Sequence, residues 1–192
     1  QKLEKEGRRF TTTSDTEVFI HVLDSWGFEG LDKCEGMWSF ALLDEETNTL
    51  SLCRDRFGEK PLYYFTDTDR GVYFGSEIKN IKALSGKSFS LNDEHLHRFL
   101  VNGYKSLYKQ PATFFKGIEA VPAGTLIVFD VKGQESRRRF WNPKFKIDSE
   151  MSYNDAVKGA RERLIRSVEL RMRADVPLAF CMSGGVDSNS LI

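Results

Sequence analysis

The sequence is poor in cysteine and proline and has no excess of charge of either sign, and each shortage excludes a class of protein. Its 192 residues include three cysteines and five prolines, too few cysteines for a disulfide-stabilised secreted scaffold. The 28 basic residues balance 28 acidic ones, so no global field favours nucleic acid or an anionic membrane as a partner. No apolar run approaches the ~20 residues of a membrane-spanning helix, and the first residues do not resemble a signal peptide. We therefore expect a cytoplasmic protein with reduced thiols.

What is present is typical of a globular protein. The chain is 40% hydrophobic and contains 15 phenylalanines, enough for one large domain or for one domain and part of another. It begins at Gln1 without an initiator methionine and ends at Ile192, where the pattern predicts the start of a helix. We expect an internal piece of a longer protein.

The first part of the chain is predicted to be mainly antiparallel strands behind one helix. Ser14 to Glu17 has the spacing of a capping box, and the helix that follows should end at Gly27. The run Arg137-Arg138-Arg139 is interpreted as a solvated strand end. Further predicted elements are strand pairs at 37–43 with 50–53 and at 61–65 with 72–75, short helices at 77–84 and 92–101, and strands near Phe114 and at 125–129.

The pattern changes near residue 150. From Tyr153 to Met172, apolar residues recur every three or four positions, which predicts an amphipathic helix. The apolar run 176–182 predicts a strand that is covered on both faces in a parallel sheet. We therefore predict two domains, residues 1–148 and residues 149–192.

The segment SGGVDS, residues 183–188, directly follows this apolar run and predicts an anion site. Gly184 and Gly185 let the backbone approach a phosphate closely, and the start of a helix favours negative charge. Ser183 and Ser188 can donate hydrogen bonds to phosphate oxygens, while Asp187 indicates a bridging cation, for which we expect Mg²⁺. The lysine of the Walker motif is missing. The alternative is an ordinary connection whose small residues cap the helix.

Two segments together resemble a known family. SGGVDS resembles the pyrophosphate-binding loop of the N-type ATP pyrophosphatases, and RDRFGEKPLYY at 54–64 resembles a signature of the glutamine-hydrolysing asparagine synthetases. The same family pattern continues in SDTE, EGMWSFA, FGSEIK, VPAG and DVPL, at 14–17, 35–41, 74–79, 121–124 and 175–178.

The resemblance implies a fold and a reaction. It implies the antiparallel sheet layers of an N-terminal-nucleophile (Ntn) hydrolase, here a partial glutaminase domain, followed by the start of an α/β Rossmann-like ATP pyrophosphatase domain. It also implies glutamine, aspartate and ATP as substrates, with Mg²⁺, and leaves room for a homodimer. Aspartate would be activated as β-aspartyl-AMP, and ammonia from glutamine would then displace AMP.

The resemblance also assigns individual residues. Asp15 would bind the α-amino group of glutamine, whereas the local sequence alone favours a helix N-cap. Cys181 would lend backbone atoms to the adenine while its side chain packs, and residues 183–188 would hold the pyrophosphate. Arg54 and Asp55 are interpreted as a structural ion pair beside a turn.

No catalytic residue is expected within this chain. The resemblance places the nucleophilic cysteine, the carboxylate-binding arginine and the Asn-Gly oxyanion motif before Gln1, and the aspartate pocket after Ile192. The acceptor therefore stays open: a relative could amidate or cyclise another carboxylate, as β-lactam synthetases do. A non-catalytic paralogue is the remaining alternative.

Overall fold

The computed structural model describes residues 2–192, with the side chains at 106, 108 and 109 outside that description. The chain forms two compact units, residues 1–143 and residues 144–192. The division lies a few residues before position 148, where the sequence places the domain boundary. None of the described helices combines the length and the apolar character that a membrane crossing requires.

The first unit contains the helices α1 (Lys2–Lys5), α2 (Asp15–Trp26), α3 (Ile78–Ser85) and α4 (Asp93–Asn102). The helix predicted after Ser14 is confirmed as α2. The Ser14 hydroxyl accepts the N–H of Thr16 at 3.2 Å, which caps the helix start. At its other end Gly27 takes a φ of 56° and its N–H donates to the carbonyl of Leu23, a conformation that favours glycine.

The strands of the first unit are β1 (Ser39–Asp44), β2 (Thr49–Arg54), β3 (Tyr63–Asp67), β4 (Gly71–Gly75), β5 (Glu119–Ala120), β6 (Thr125–Phe129) and β7 (Glu135–Arg139). One sheet has the order β1-β2-β6-β7 and the other the order β4-β3-β5, and every pairing is antiparallel. Both predicted strand pairs are confirmed, as is the strand at 125–129. The short helices predicted at 77–84 and 92–101 correspond to α3 and α4.

The strand predicted near Phe114 is wrong. Around it the chain forms only two isolated bridges, one between Leu91 and Phe115 and one between Ala112 and Glu119. The reason lies in Thr113, whose hydroxyl donates to the carbonyl of Ile118 at 2.9 Å and accepts the N–H of Phe115 at 3.1 Å. A threonine side chain that bonds nearby backbone groups competes with strand pairing.

The two faces of the β1-β2-β6-β7 sheet bury different sets of residues. Because side chains alternate along a strand, Leu52 and Ile127 lie on one face, where they pack against Tyr64 of the second sheet. Cys53 and Leu126 lie on the other face, where Phe19 and Leu23 of α2 pack against their cluster. The result is a layered arrangement with α2 on one sheet and the second sheet behind it, the arrangement that the resemblance predicts.

A polar cluster joins the two sheets at their edge. The Tyr64 hydroxyl donates to Glu119 at 2.9 Å, and Arg137 of β7 donates to both, at 2.6 and 3.0 Å. Burial is the main cause that raises the pKa of Tyr64 above its ordinary value. The strand end is exposed along its whole length, as the sequence predicts, and Arg137 also bonds the second sheet.

The second unit contains α5 (Tyr153–Arg171) and α6 (Val186–Leu191). Ser152 caps α5 by accepting the N–H of Asp155 at 3.2 Å, and the predicted amphipathic helix is confirmed. The strand predicted at 176–182 is not formed: the backbone there is irregular, and Val176 and Met182 are 69% and 59% exposed. A strand needs a hydrogen-bonded neighbour, and no other strand lies among the described residues 144–192. The parallel sheet expected for this unit is therefore absent from the part of the chain described.

Candidate functional site

Asp15 is the first residue of α2, and its side chain is exposed. The N-cap is its neighbour Ser14, so the alternative in which Asp15 itself caps the helix is wrong. Among the residues that the structure describes, the Asp15 carboxylate makes no hydrogen bond or ion pair. An exposed carboxylate in the first turn of a helix is favoured by the helix dipole and is free to accept a charge-assisted bond from an ammonium group.

Glu17 lies two residues further on, in the same first turn of α2, and bonds the segment that leads into the helix. One carboxylate oxygen accepts the N–H and the hydroxyl of Thr11, at 2.8 and 2.9 Å. The other accepts the N–H and the hydroxyl of Thr12, at 2.7 and 2.6 Å. These bonds, that of the Thr12 hydroxyl above all, lower the pKa of Glu17 to about 2. A capping box would instead direct Glu17 to the N–H of Ser14, so that part of the helix prediction is wrong.

The loop of residues 54–60 is organised around Asp55, whose side chain is fully buried. One carboxylate oxygen accepts the N–H groups of Phe57 and Glu59, both at 3.0 Å. The other accepts the N–H groups of Trp38 and Lys60, at 3.2 and 3.0 Å. A buried carboxylate is stabilised when such bonds replace its hydration. Asp55 is therefore a structural residue, and backbone N–H groups are its partners.

Arg54 holds the same loop from the outside. Its guanidinium donates to the carbonyls of Lys60 at 2.7 Å and of Val121 at 3.0 Å, and also to that of Gly58. Gly58 has a φ of 66°, and a Cβ atom there would lie 3.1 Å from the guanidinium carbon of Arg54 and 3.2 Å from the Cβ of Ala123. The position thus requires glycine for its conformation and for its space.

The loop of residues 183–188 is open and lies in the second unit. Gly184 has a φ of 76°, and a Cβ atom there would meet nothing within 4 Å. The hydroxyls of Ser183 and Ser188 are 3.0 Å apart, and Ser183 accepts the N–H of Gly185 at 3.3 Å. Gly185 is the N-cap of α6, and no side chain caps this end of the helix. The loop therefore presents backbone N–H groups and two hydroxyls that could donate hydrogen bonds to a phosphate.

Asp187 and Cys181 complete the predicted site residues. Asp187 is exposed in the first turn of α6. Cys181 is also exposed, so the expectation that its side chain packs is wrong, because the strand meant to bury it is not formed. Cys34 and Cys53 are free thiols as well, half-buried and buried respectively.

The site offers little to a metal ion on its own. No cluster of three or more histidine, cysteine or acidic residues is found among the described residues. Asp187 supplies one carboxylate, and Mg²⁺ commonly takes one or two carboxylates with its other ligands from phosphates and water. The donor set fits a cation that arrives with a phosphorylated substrate.

Two family models match the chain in sequence order. The model described as "Glutamine amidotransferase domain" matches residues 1–141, and the model described as "Asparagine synthase" matches residues 159–192. The first match includes Asp15 and the second includes the loop of residues 183–188.

Similar proteins match nearly all of the chain, but the chain covers only part of them. It is 32% identical over 186 residues to "Amidase chyE" of Penicillium rubens, a match of 95% of this chain and 26% of that protein. It is 32% identical over 192 residues to asparagine synthetase (glutamine-hydrolyzing) 3 of Bacillus subtilis, a match of 100% of this chain and 30% of that protein. The chain therefore spans between a quarter and a third of the length of these relatives.

A solved structure supports the fold. The chain is similar, with a TM-score of 0.50 and 17% identity, to the "allosteric regulatory enzyme of purine biosynthesis", over 100% of this chain and 38% of that one. Identity this low supports a shared architecture and no shared substrate.

Proposed function

This chain belongs to the glutamine amidotransferase domain family, and we propose that the full-length protein is a glutamine-dependent, ATP-consuming amide synthetase that makes asparagine from aspartate. Its first half would release ammonia from glutamine and leave glutamate. Its second half would join aspartate to AMP as β-aspartyl-AMP with release of pyrophosphate. Ammonia would then displace AMP to give asparagine.

In the glutaminase half, Asp15 is the residue of this chain that would contact substrate. Its exposed carboxylate has the charge and the position to bind the α-ammonium of glutamine. The loop of residues 54–60 would act only as architecture, because its polar groups are turned to one another. The nucleophilic cysteine is proposed to lie in the part of the protein that precedes Gln1.

In the synthetase half, the loop of residues 183–188 would hold the leaving pyrophosphate. The N–H groups at the start of α6 and the hydroxyls of Ser183 and Ser188 would bind its oxygens. A magnesium ion would supply charge neutralisation as the α–β phosphate bond breaks, with Asp187 as the carboxylate that holds it. The backbone at Cys181 is proposed to contact the adenine.

One observation carries this proposal: the glutamine amidotransferase match and the asparagine synthase match follow each other in one chain. The test is ATP–pyrophosphate exchange by the full-length protein with aspartate and with other carboxylic acids, each alone. We expect exchange that depends on aspartate, and glutamate release when glutamine is supplied. The complete gene should also encode cysteine directly after the initiator methionine.

A second candidate is an enzyme of the same chemistry that acts on another carboxylate. The specific observation in its favour is that relatives named amidases, from Penicillium rubens and Gibberella zeae, are as similar to the chain as the asparagine synthetases are, at 32% and 31% identity. Exchange that proceeds with another acid but not with aspartate would establish this candidate. A protein with neither exchange nor glutamine hydrolysis would be a non-catalytic paralogue.

A further inference from the structure

The segment from Thr11 to Asp15 is held in place by one side chain, that of Glu17. Its two carboxylate oxygens accept the N–H and hydroxyl groups of both Thr11 and Thr12, at 2.6 to 2.9 Å. The Thr12 hydroxyl also accepts the N–H of Ser14 at 3.2 Å. The bonds thus run from the first turn of α2 back to the chain that enters it, and Asp15 lies between the two anchored ends.

Asp15 depends on the backbone that carries it, because its carboxylate makes no hydrogen bond or ion pair among residues 2–192. Its side chain is exposed, and Ser14 rather than Asp15 makes the capping bond. The direction of the Asp15 carboxylate is therefore set by the backbone on which it stands. A binding group whose supporting backbone is loose binds its ligand less well, because the ligand must then also order that backbone.

From this geometry we infer that Glu17 is a positioning residue for glutamine: it fixes the backbone of residues 11–15 so that the Asp15 carboxylate meets the α-ammonium of the substrate. Glu17 touches no substrate itself. This inference rests on the proposed function, since it takes Asp15 as the ammonium-binding residue.

The neighbours of Glu17 strengthen the anchoring. Its carboxylate lies 4.0 Å from Nε2 of His21, one helical turn further on. The His21 ring in turn packs edge-on against Phe10, with ring centroids 5.0 Å apart. Phe10 directly precedes Thr11, so the entering chain is held by an aromatic contact as well as by hydrogen bonds.

The Glu17 carboxylate is ionised at neutral pH. Hydrogen bonds lower the pKa of Glu17 from 4.5 to about 2, so its bonds to the threonines are fully present above the unfolded value and are lost only as the pH falls through the folded one. The change Glu17→Gln mimics the protonated state at neutral pH, because one of the two acceptor oxygens becomes an NH₂ donor.

The test is steady-state glutamine hydrolysis by the full-length protein. We expect Glu17→Gln to raise KM for glutamine on the order of tenfold while kcat stays near the parent value, which is the signature of lost substrate binding. Thr12→Val removes one hydroxyl that donates to Glu17, while the side chain keeps nearly the same volume. This variant should raise KM for glutamine by a smaller factor than Glu17→Gln. It also decides the matter if Glu17→Gln fails to fold.

A matched control is Asp44→Asn. Asp44 also accepts loop N–H groups, those of Glu46 and Thr47 at 2.9 and 3.1 Å, but in the turn between β1 and β2. We expect Asp44→Asn to leave both KM and kcat for glutamine hydrolysis unchanged.

Asp15→Asn tests the proposed glutamine site itself. If this variant leaves KM for glutamine unchanged, the proposed site is wrong. If Asp15→Asn raises KM while Glu17→Gln and Thr12→Val do not, only the positioning role is overturned. A fall in kcat with unchanged KM in folded Glu17→Gln protein would likewise overturn it.

Discussion

Two loops of this chain have equally distinctive sequences, yet the structure holds them in opposite ways. The loop of residues 54–60 surrounds the buried carboxylate of Asp55, which accepts four backbone N–H groups. The loop of residues 183–188 is exposed except for the half-buried Ser188, and local bonds such as that between Ser183 and Ser188 close it. The first loop has its polar groups bonded internally, and the second presents them to solvent.

The difference suits the first loop to architecture and leaves the second available for the proposed binding of pyrophosphate. Where a polar motif is buried and its donors and acceptors bond one another, its residue types are explained by the fold. Where a motif leaves N–H groups at a helix start exposed, the fold alone does not explain its acid. Substitutions should therefore change stability in the first loop and synthesis in the second, and the predictions below test this contrast.

The largest effect on stability is expected for Asp55→Asn. The amide keeps one acceptor oxygen but places an NH₂ group against two backbone N–H donors, either those of Trp38 and Lys60 or those of Phe57 and Glu59. Leaving two part-buried donors unsatisfied beside the buried side chain should lower the free energy of unfolding of the first unit by about 3 kcal/mol. Hydrogen exchange of amide groups in β2 and β6 of the full-length protein measures this loss.

The control for this prediction is Asp130→Asn. One oxygen of Asp130 accepts the N–H groups of both Lys132 and Gln134, each at 2.8 Å, in the turn between β6 and β7. Asparagine can keep that oxygen in place, so the change should cost less than about 0.5 kcal/mol. Similar losses for the two variants would mean that the burial of Asp55 does not matter.

An intermediate effect is expected for Gly58→Ala, measured against Gly184→Ala. Both glycines have a positive φ, 66° and 76°, which costs an alanine on the order of 1 kcal/mol. At Gly58 the new methyl group also meets Arg54 and Ala123, whereas at Gly184 it meets nothing within 4 Å. Gly58→Ala should thus lower the free energy of unfolding of the first unit by about 2 kcal/mol. Gly184→Ala should lower that of the second unit by about half as much. Local hydrogen exchange measures both losses. Equal losses would remove the steric part of the contrast.

The local rules of sequence predicted much of the fold. The start of α2 at Ser14, its end at Gly27 and the β1–β2 pair follow from capping groups, a glycine and alternating apolar residues, all of which act within a few positions. The apolar run 176–182 predicts a strand as clearly as the β1–β2 pattern does. Strand formation, however, depends on a partner strand far along the chain. No partner lies in its unit as described, so the backbone there is irregular.

The candidate site was predictable in its residue types and not in its supporting bonds. The glycines and serines of residues 183–188 and the acid at Asp15 are visible in the sequence. The clamp of Glu17 on Thr11 and Thr12 was missed, because a glutamate three residues after a serine predicts a capping box. The signal that could have revealed it is the pair of threonines just before Ser14, which offers hydroxyl and N–H donors to the same carboxylate.

Asp187→Ala is expected to have the smallest effect on stability and the largest effect on asparagine synthesis. Its side chain is exposed and belongs to the open loop, so the free energy of unfolding should change by less than about 0.5 kcal/mol. If the carboxylate holds a magnesium ion on the pyrophosphate, its loss removes charge stabilisation at the breaking phosphate bond. Asparagine synthesis and ATP–pyrophosphate exchange by the full-length protein should then be abolished, while glutamine hydrolysis continues near the parent rate.

The control is Asp175→Ala, because Asp175 is an acidic residue in the same unit but outside the loop. This variant should leave ATP–pyrophosphate exchange unchanged. If Asp187→Ala lowers hydrolysis as much as exchange, the two loops do not divide architecture from ATP chemistry, and the assignment of residues 183–188 is wrong.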